Sequence, residues 1–478
     1  MVTGTKERGT AGPAGQEGQA GGHDRSAAAG KTARARVPLA AQAGFEPAPG
    51  RDPVGLLIEQ AQSRIPELVP VRHGRMLVSP FTFFRGAALP MAADLAAGPD
   101  TGLRVQLCGD AHLSNFGAFG SPERRLVFDV NDFDETLPGP FEWDVKRLAA
   151  SLVVAGRDNG FSAKQARRAA TAATARYRAA MREFAGMPTL DVWYARLDVD
   201  DTIKRFRSRL KKRMVKQSEA IAARSRTRDS TQAAAKLTRV VDGHREIVSD
   251  PPLIVPIEEL PAGDWAGPGY ATLLTLIGDY TRTLPPDRQY LVRQFRLTRV
   301  ARKVVGVGSV GTQAWIVLME AEDGLDPLLL QAKQAQRSVL AAYAGESQYD
   351  NQGERVVWGQ RMMQAAGDIF LGWQRITEPS GQLDYYLRQL RDWKYSAPIE
   401  QMDPAMMSDY GELCGWTLAR AHARTGDRFA IAGYLGGSAR FEEAVADFGA
   451  SYADQTVRDH AALADAVASG RTQATPGV

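Results

Sequence analysis

Between residues 299 and 333 the chain changes grammar. Val, Ile and Leu alternate with polar residues, glycines recur, and Asp323-Gly324 separates two apolar runs. Alternation with a period of two cannot lie on one helix face, and Asp-Gly between apolar runs is a hairpin turn, so antiparallel strands are required here. The flanking segments keep a helical period. An Ala-rich stretch at 163–186 opened by Ser162 reads as one long helix, and 351–366, 408–424 and 440–466 return to spacings of three and four. In the 408–424 segment, Tyr410, Leu413, Thr417, Leu418 and Ala421 share a face. The fold class is therefore α+β, without internal repeats or a heptad run.

Hydrophobic residues make up 44% and charged residues 24% of the 478, a globular composition that excludes a fibrous or wholly disordered protein. Residues 1–50 stand apart, with 10 Gly, 12 Ala and Phe45 as their one aromatic residue. So little apolar surface predicts a disordered tail. Order begins at Asp52, an N-cap, and Pro53, a first helical residue, followed by Val54, Leu57, Ile58 and Ala61 at helical spacing and by Pro66 past the end. No run of about 18 apolar residues and no signal-peptide series is present, and Cys108 and Cys414 are too few for a disulfide framework. The expectation is a cytoplasmic protein with no membrane partner.

The net charge of +4 conceals a local run: residues 204–239 hold 13 Lys or Arg against Glu219 and Asp229. With few aromatic residues among them, these read first as a solvated helical face; attraction to an anionic substrate or to nucleic acid is the lesser reading.

The densest chemical signal is CGDAHLSNFG at 108–117, followed by LVFDVNDFDE at 126–135 and WDVKRLA at 143–149. Asp110 precedes Asn115 by five residues, the spacing of a phosphoryl-transfer loop in which an Asp accepts the substrate hydroxyl proton and an Asn holds a metal. A hard cation between phosphates needs oxygen ligands, and an amide carbonyl provides one without adding charge. A second acid is then needed. Asp132 follows the apolar run Leu126-Val127-Phe128, with Asp129 and Asp134 competing for the role.

GDAHLSN resembles the G-D-x-H-x-x-N loop of the aminoglycoside phosphotransferases and choline kinases, members of the protein-kinase-like families. The resemblance implies that Asp110 is the base, that His112 mainly orders the loop, and that Asn115 and Asp132 hold Mg²⁺, with Asp134 the competing ligand. It also implies an Asp opening a helix about a dozen residues after the metal ligand, which Asp144 matches at a distance of twelve. Asp144 then caps the helix or braces the loop.

Such a fold needs a glycine-rich turn and a lysine before the catalytic loop, yet the pattern occurs after it. KVVGVGSVGTQAWIVLME at 303–320 carries Gly306, Gly308 and Gly311, with Ser309, between two strand-like runs, and LLLQAKQA at 328–335 carries Lys333. Those glycines would let backbone N–H groups approach the phosphates of ATP, and Lys333 would pair with them. A dinucleotide-binding turn uses the same letters but opens into a helix, whereas Thr312 to Met319 continues as a strand. Glu354 is the expected ion-pair partner of Lys333, with Glu346 as the fallback. YGELCGWTLARAHART at 410–425 is similar to the helix preceding a kinase catalytic loop. The expected architecture is thus a circularly permuted two-lobe kinase-like fold. Its parts are a tail at 1–50, a helical lobe at 51–290, a β-rich nucleotide lobe at 291–396, and helices at 397–478 that complete the helical lobe.

From RMLVSPFTFFRGAA at 75–88 to VGVGSVGT at 305–312, the chain also resembles the bacterial family called domain of unknown function 2252. Arg75 and Arg85 in this stretch are candidates for an anion contact. The function expected is phosphoryl transfer from ATP, with Mg²⁺, to an unidentified hydroxyl or amine compound or a protein. AMP transfer on the same fold and a non-catalytic nucleotide-binding regulator are the alternatives. Metal-dependent phosphoester hydrolysis fits less well, because the chain's six histidines include no closely spaced pair to complete a two-metal site.

Overall fold

The stretch opened by Ser162 forms a helix over Ala163–Ala185. In the computed structural model the residues described are 14–206, 219, 222–223, 226–227, 230–260, 270–304, 306–322, 326–378, 381–390 and 393–477. The Ser162 hydroxyl accepts the Gln165 N–H at 3.3 Å, and the Gln165 side chain accepts the Ser162 N–H at 2.9 Å, closing a capping box. Ala166, Ala169, Ala170, Ala173 and Ala180 are buried along one face. Their small side chains let backbones approach: a Cβ on Gly415, in the helix Pro404–Thr425, would lie 2.1 Å from the Ala173 carbonyl oxygen. Helices Phe141–Asp158 and Arg440–Ala468 complete this body.

The strands required at 299–333 are there. Phe295–Lys303, Ala314–Ala321 and Pro327–Ala335 run antiparallel in a six-stranded sheet, which continues through Gly381–Gln389 to Gly372–Glu378 on one side and ends at Ile254–Pro256 on the other. The Asp323-Gly324 turn lies outside the described residues, but Glu320 pairs with Pro327 across it. Leu328, Leu330 and Ala332 face a core that includes Tyr280, Leu284 and Val292, whereas Leu329 faces a second core with Ile316 and Leu318. This strand is therefore buried on both faces. Because Ile254–Pro256 is a strand of the sheet and the helices Tyr270–Arg282 and Pro286–Val292 share its core, the β-rich unit begins well before residue 291.

Composition misleads at the N-terminus. Residues 1–13 of the expected tail lie outside the described residues, but from residue 14 on the tail is replaced by a helix, Ala14–Arg36, that packs against Arg428–Leu435. The small residues that suggested disorder make this contact: a Cβ on Gly30 would fall 1.9 Å from the Ala430 carbonyl oxygen, and one on Gly433 would fall 2.4 Å from that of Ala27. Phe45 packs edge-on against Tyr452. Asp52 does cap Pro53–Ala61, accepting the Gly55 N–H at 2.9 Å. No helix among the described residues is long and apolar enough to cross a membrane.

Candidate functional site

The acidic motifs form a set of short turns held from behind. After the strand Arg104–Leu107, Gly109 adopts φ 85°, and a Cβ there would meet the Glu135 carbonyl oxygen at 2.3 Å, so only glycine fits. The Asp144 carboxylate, in the first turn of Phe141–Asp158 and buried, accepts the Cys108 N–H at 2.8 Å and the Gly109 N–H at 3.1 Å. His422 Nε2 lies 3.3 Å from Asp144, and His422 Nδ1 lies 2.8 Å from the Tyr177 hydroxyl. Asp144 is thus a brace for the loop. The Asp110 carbonyl accepts from the His112 N–H and from Asn115 Nδ2, both at 2.8 Å. Fixing the Asn115 amide this way commits its nitrogen to the loop and leaves Oδ1 as the acceptor atom of the side chain.

The Asp110 carboxylate takes Arg147 Nε at 2.5 Å. Arg147 in turn lies over the Phe84 ring and donates to the Phe84 carbonyl. Burial pushes the Asp110 carboxyl up, and the charges and hydrogen bond of Arg147 and Arg85 only partly offset this, so it stands above the ordinary carboxylate range. The His112 ring lies 3.6 Å from Asp110. Burial, helped by Arg85 and Arg147, pushes its pKa far down, so it stays neutral.

Three aspartates competed for one role, and their surroundings separate them. Asp129 is 2% exposed, ion-paired with Arg420 and bonded to the Ala365 N–H at 3.0 Å, a structural position away from the cleft. Asp134 accepts Lys333 Nζ at 2.6 Å, the Tyr386 hydroxyl at 2.6 Å and Ser309 Oγ at 3.3 Å. Burial pushes Asp134 up, but the Lys333 charge and these hydrogen bonds outweigh it and hold the carboxyl below its usual range. Asp132 Oδ2 lies 3.9 Å from Lys333 Nζ, and burial together with the Asp134 charge raises its pKa. Lys333 itself is kept charged: burial disfavours the ammonium, but Asp132 and Asp134 overrule it.

The sheet explains how Lys333 arrives. Leu329, Gln331 and Lys333 alternate onto the face that meets the acidic loops, and Lys333 pairs directly across to Tyr386, as Gln331 does to Arg388. Glu354 does not reach the lysine. Its carboxylate accepts Trp358 Nε1 at 3.3 Å, and Glu346 pairs with the exposed Arg337. Arg355, one residue on, is buried and donates to the carbonyls of Asp134, Thr136 and Gln336. The expected lysine-to-helix ion pair is replaced by a direct contact between Lys333 and the acidic loop.

The glycine loop is docked rather than loose. The Gly306 carbonyl accepts Arg75 Nη1 at 2.5 Å, the Val310 carbonyl accepts Arg64 Nη1 at 2.5 Å, and the Gly311 carbonyl accepts the Ile65 N–H at 2.8 Å. A Cβ on Gly308 would meet the Arg85 carbonyl oxygen at 3.3 Å, and Gly311 holds φ 90° against the Arg64 side chain.

Two connected compartments result. A smaller one of about 120 Å³ is lined by Asp110, His112, Asn115, Asp134, Arg64, Arg72 and Arg85; a larger one of about 860 Å³ is lined by Lys236, Lys303, Gln331, Lys333 and Arg388. Asp132, Gly306 and Ser309 line both. Asp110, His112, Asn115, Asp132, Asp134, Gly306, Gly308, Ser309, Lys333 and Arg85 thus line these two compartments, with Gly311 behind the loop, whereas Asp129, Glu346, Glu354 and Arg75 do not. Arg64, Arg72, Arg147 and Tyr386 were not picked out from sequence, because strand register and helix packing bring them in. Most of the basic run at 207–229 lies outside the described residues, although Lys236 lines the larger compartment. No cluster of three or more His, Cys, Asp or Glu suited to a metal ion occurs among the described residues. The Asn115 amide oxygen and the Asp132 carboxylate do fit Mg²⁺, which binds through one or two carboxylates with substrate phosphates and water.

Neither the curated proteins nor the solved structures hold a match to this chain. The family model described as an uncharacterized protein conserved in bacteria, DUF2252, matches residues 64–466, which include the acidic loops, the glycine loop and Lys333, and the chain belongs to that family.

Proposed function

We propose that this protein is an ATP- and Mg²⁺-dependent phosphotransferase on a permuted kinase-like fold. The observation that carries this reading is the meeting of Lys333 with Asp134 at 2.6 Å and Asp132 at 3.9 Å, across 199 residues of chain to Asp134, in a cleft that also holds Asp110 and Asn115. A buried lysine against two carboxylates beside a glycine turn is the apparatus that positions a triphosphate. Asp110, oriented by Arg147 and made more basic by burial, accepts the proton of the attacking hydroxyl or amine. Lys333 exchanges part of its contact with Asp134 for phosphate oxygens, and the Ser309 hydroxyl and the glycine-loop backbone cover them. Asn115 and Asp132 would hold Mg²⁺, which when bound neutralises phosphate charge. The larger compartment lies within the size range of small-molecule sites, and its lysines suit a nucleotide.

The test is a thermal-shift titration with ATP, GTP and NAD, each with and without Mg²⁺, on the wild type and Asp132→Ala. A ligand at about 100 times its Kd adds about 2.7 kcal/mol. Stabilisation by ATP that requires Mg²⁺ and disappears in Asp132→Ala is expected. A folded protein that responds to none of the nucleotides would refute the reading.

A further inference from the structure

Three arginines in the smaller compartment are built in an unusual way. Arg64 follows the helix Pro53–Ala61, Arg72 lies on Val69–Met76 and Arg85 on Pro80–Gly86, and all three line the compartment that holds Asp110. Arg72 is 0% exposed and Arg64 is 8% exposed. Arg72 uses only Nη2, donating to Gln60 and to the Gly86 carbonyl, both at 2.8 Å. Arg64 Nε, Arg72 Nε and Nη1, and Arg85 Nε are buried with no hydrogen-bond partner among the described residues. Burial pushes all three guanidiniums below their ordinary values, Arg64 to about 10, and the Arg64 charge adds to the effect on Arg72. Arg147, by contrast, has Asp110 at 2.5 Å.

Buried cations with unmet donors cost free energy that an oxyanion in the compartment would offset, through charge-assisted and bidentate bonds. The arrangement of the cleft says which molecule brings it. Asp110 lines the arginine compartment and not the larger lysine compartment, so the group it deprotonates must enter on the arginine side. At about 120 Å³, that side has room for only a small ligand.

We propose that Arg64, Arg72 and Arg85 form an oxyanion subsite for the acceptor, which is a small hydroxyl or amine compound bearing a phosphate or carboxylate group. The choice of acceptor rests on the phosphotransferase reading; the oxyanion subsite itself does not.

The test is isothermal titration of the full chain with inorganic phosphate and with malonate, free of Mg²⁺ and nucleotide, on the wild type, Arg85→Gln, Arg64→Gln and, as the control, Arg167→Gln, an exposed arginine outside both compartments. Folding of each variant is checked by circular dichroism and melting temperature. Arg85 is only half-buried, so Arg85→Gln keeps the test alive if Arg64→Gln does not fold. Saturable binding to the wild type, weakened at least about tenfold in the arginine variants of the compartment and retained in Arg167→Gln, is expected. The same titration is repeated with a non-hydrolysable ATP analogue and Mg²⁺ present, and both ligands should bind together. Absence of binding, or equal affinity in the arginine variants of the compartment, would overturn the subsite. One-for-one displacement of phosphate by the analogue would assign the arginines to the nucleotide and overturn the acceptor assignment. Arginine-dependent phosphate binding without any nucleotide binding would keep the subsite and remove the phosphotransferase reading.

Discussion

Asp132 and Asp134 are two residues apart, yet their removal should act on stability in opposite directions. Asp134 accepts Lys333 and Tyr386, each at 2.6 Å, and the Lys333 side chain is 3% exposed. Breaking a buried ion pair typically costs about 3–5 kcal/mol, because the remaining charge is left uncompensated. Two features reduce this: Asp132 stays 3.9 Å from the lysine, and the Asp134 side chain is 27% exposed to water. Asp134→Ala should therefore lose about 2–3 kcal/mol, a fall in melting temperature of roughly 2–3 °C for a chain of 478 residues. Asp132→Ala removes a carboxylate that burial and Asp134 disfavour, so the ligand-free protein should be at least as stable as the wild type. Urea denaturation followed by tryptophan fluorescence measures both. An Asp134→Ala protein within about 0.5 kcal/mol of wild type, or an Asp132→Ala protein less stable than Asp134→Ala, would refute this account of the lysine.

Asp129→Asn, which breaks the buried pair with Arg420, should cost about 3 kcal/mol in urea denaturation, while titration calorimetry finds nucleotide binding by the folded protein unchanged. If Asp132 holds Mg²⁺ as proposed, it does so only when ionised, and its pKa is raised, so Mg²⁺–ATP affinity should fall with decreasing pH at a midpoint above the ordinary value of about 4. Calorimetry from acid to neutral pH would show this, without an inflection from His112 at the ordinary imidazole value, because burial holds its pKa well below that. For the ligand-free fold the sign reverses: a raised carboxyl contributes stability at low pH, and that contribution is lost as pH rises through the folded value. Gly30→Leu, placed against the Ala430 carbonyl, should lift the N-terminal helix and speed tryptic cleavage at Arg34 and Arg36 by about tenfold or more.

Much of this site was legible in sequence because its chemistry is local. Asp110 and Asn115 share one turn, and the strands around the glycine turn and Lys333 announce themselves by alternation and by a glycine spacing. Legibility ended where tertiary packing decides. Glu354 and Arg355 sit side by side at a helix start, and only helix rotation puts the arginine inside and the glutamate against Trp358. Tyr386 became a partner of Lys333 through cross-strand register, which the sequence of either strand leaves open. The first 50 residues failed for a related reason: Gly and Ala mark a chain without its own core, but they also make the thinnest helix surface. The partner that welcomes such a surface, Ala430 and Gly433, lies some 400 residues away.

The brace behind the acidic loop sets a timetable. Asp144 holds Cys108 and Gly109, but His422, which closes the brace from behind, follows Asp144 by 278 residues. At about 5–20 residues per second, a ribosome needs roughly 15–60 s to cover that distance. The nascent chain carries Asp110, Asn115, Asp132 and Asp134 from the start of that interval, whereas Lys333 arrives only in its last third and the closing helix only at its end. The cleft is consequently among the last parts of the molecule to exist, and a chain released early contains the acids of the site without the site.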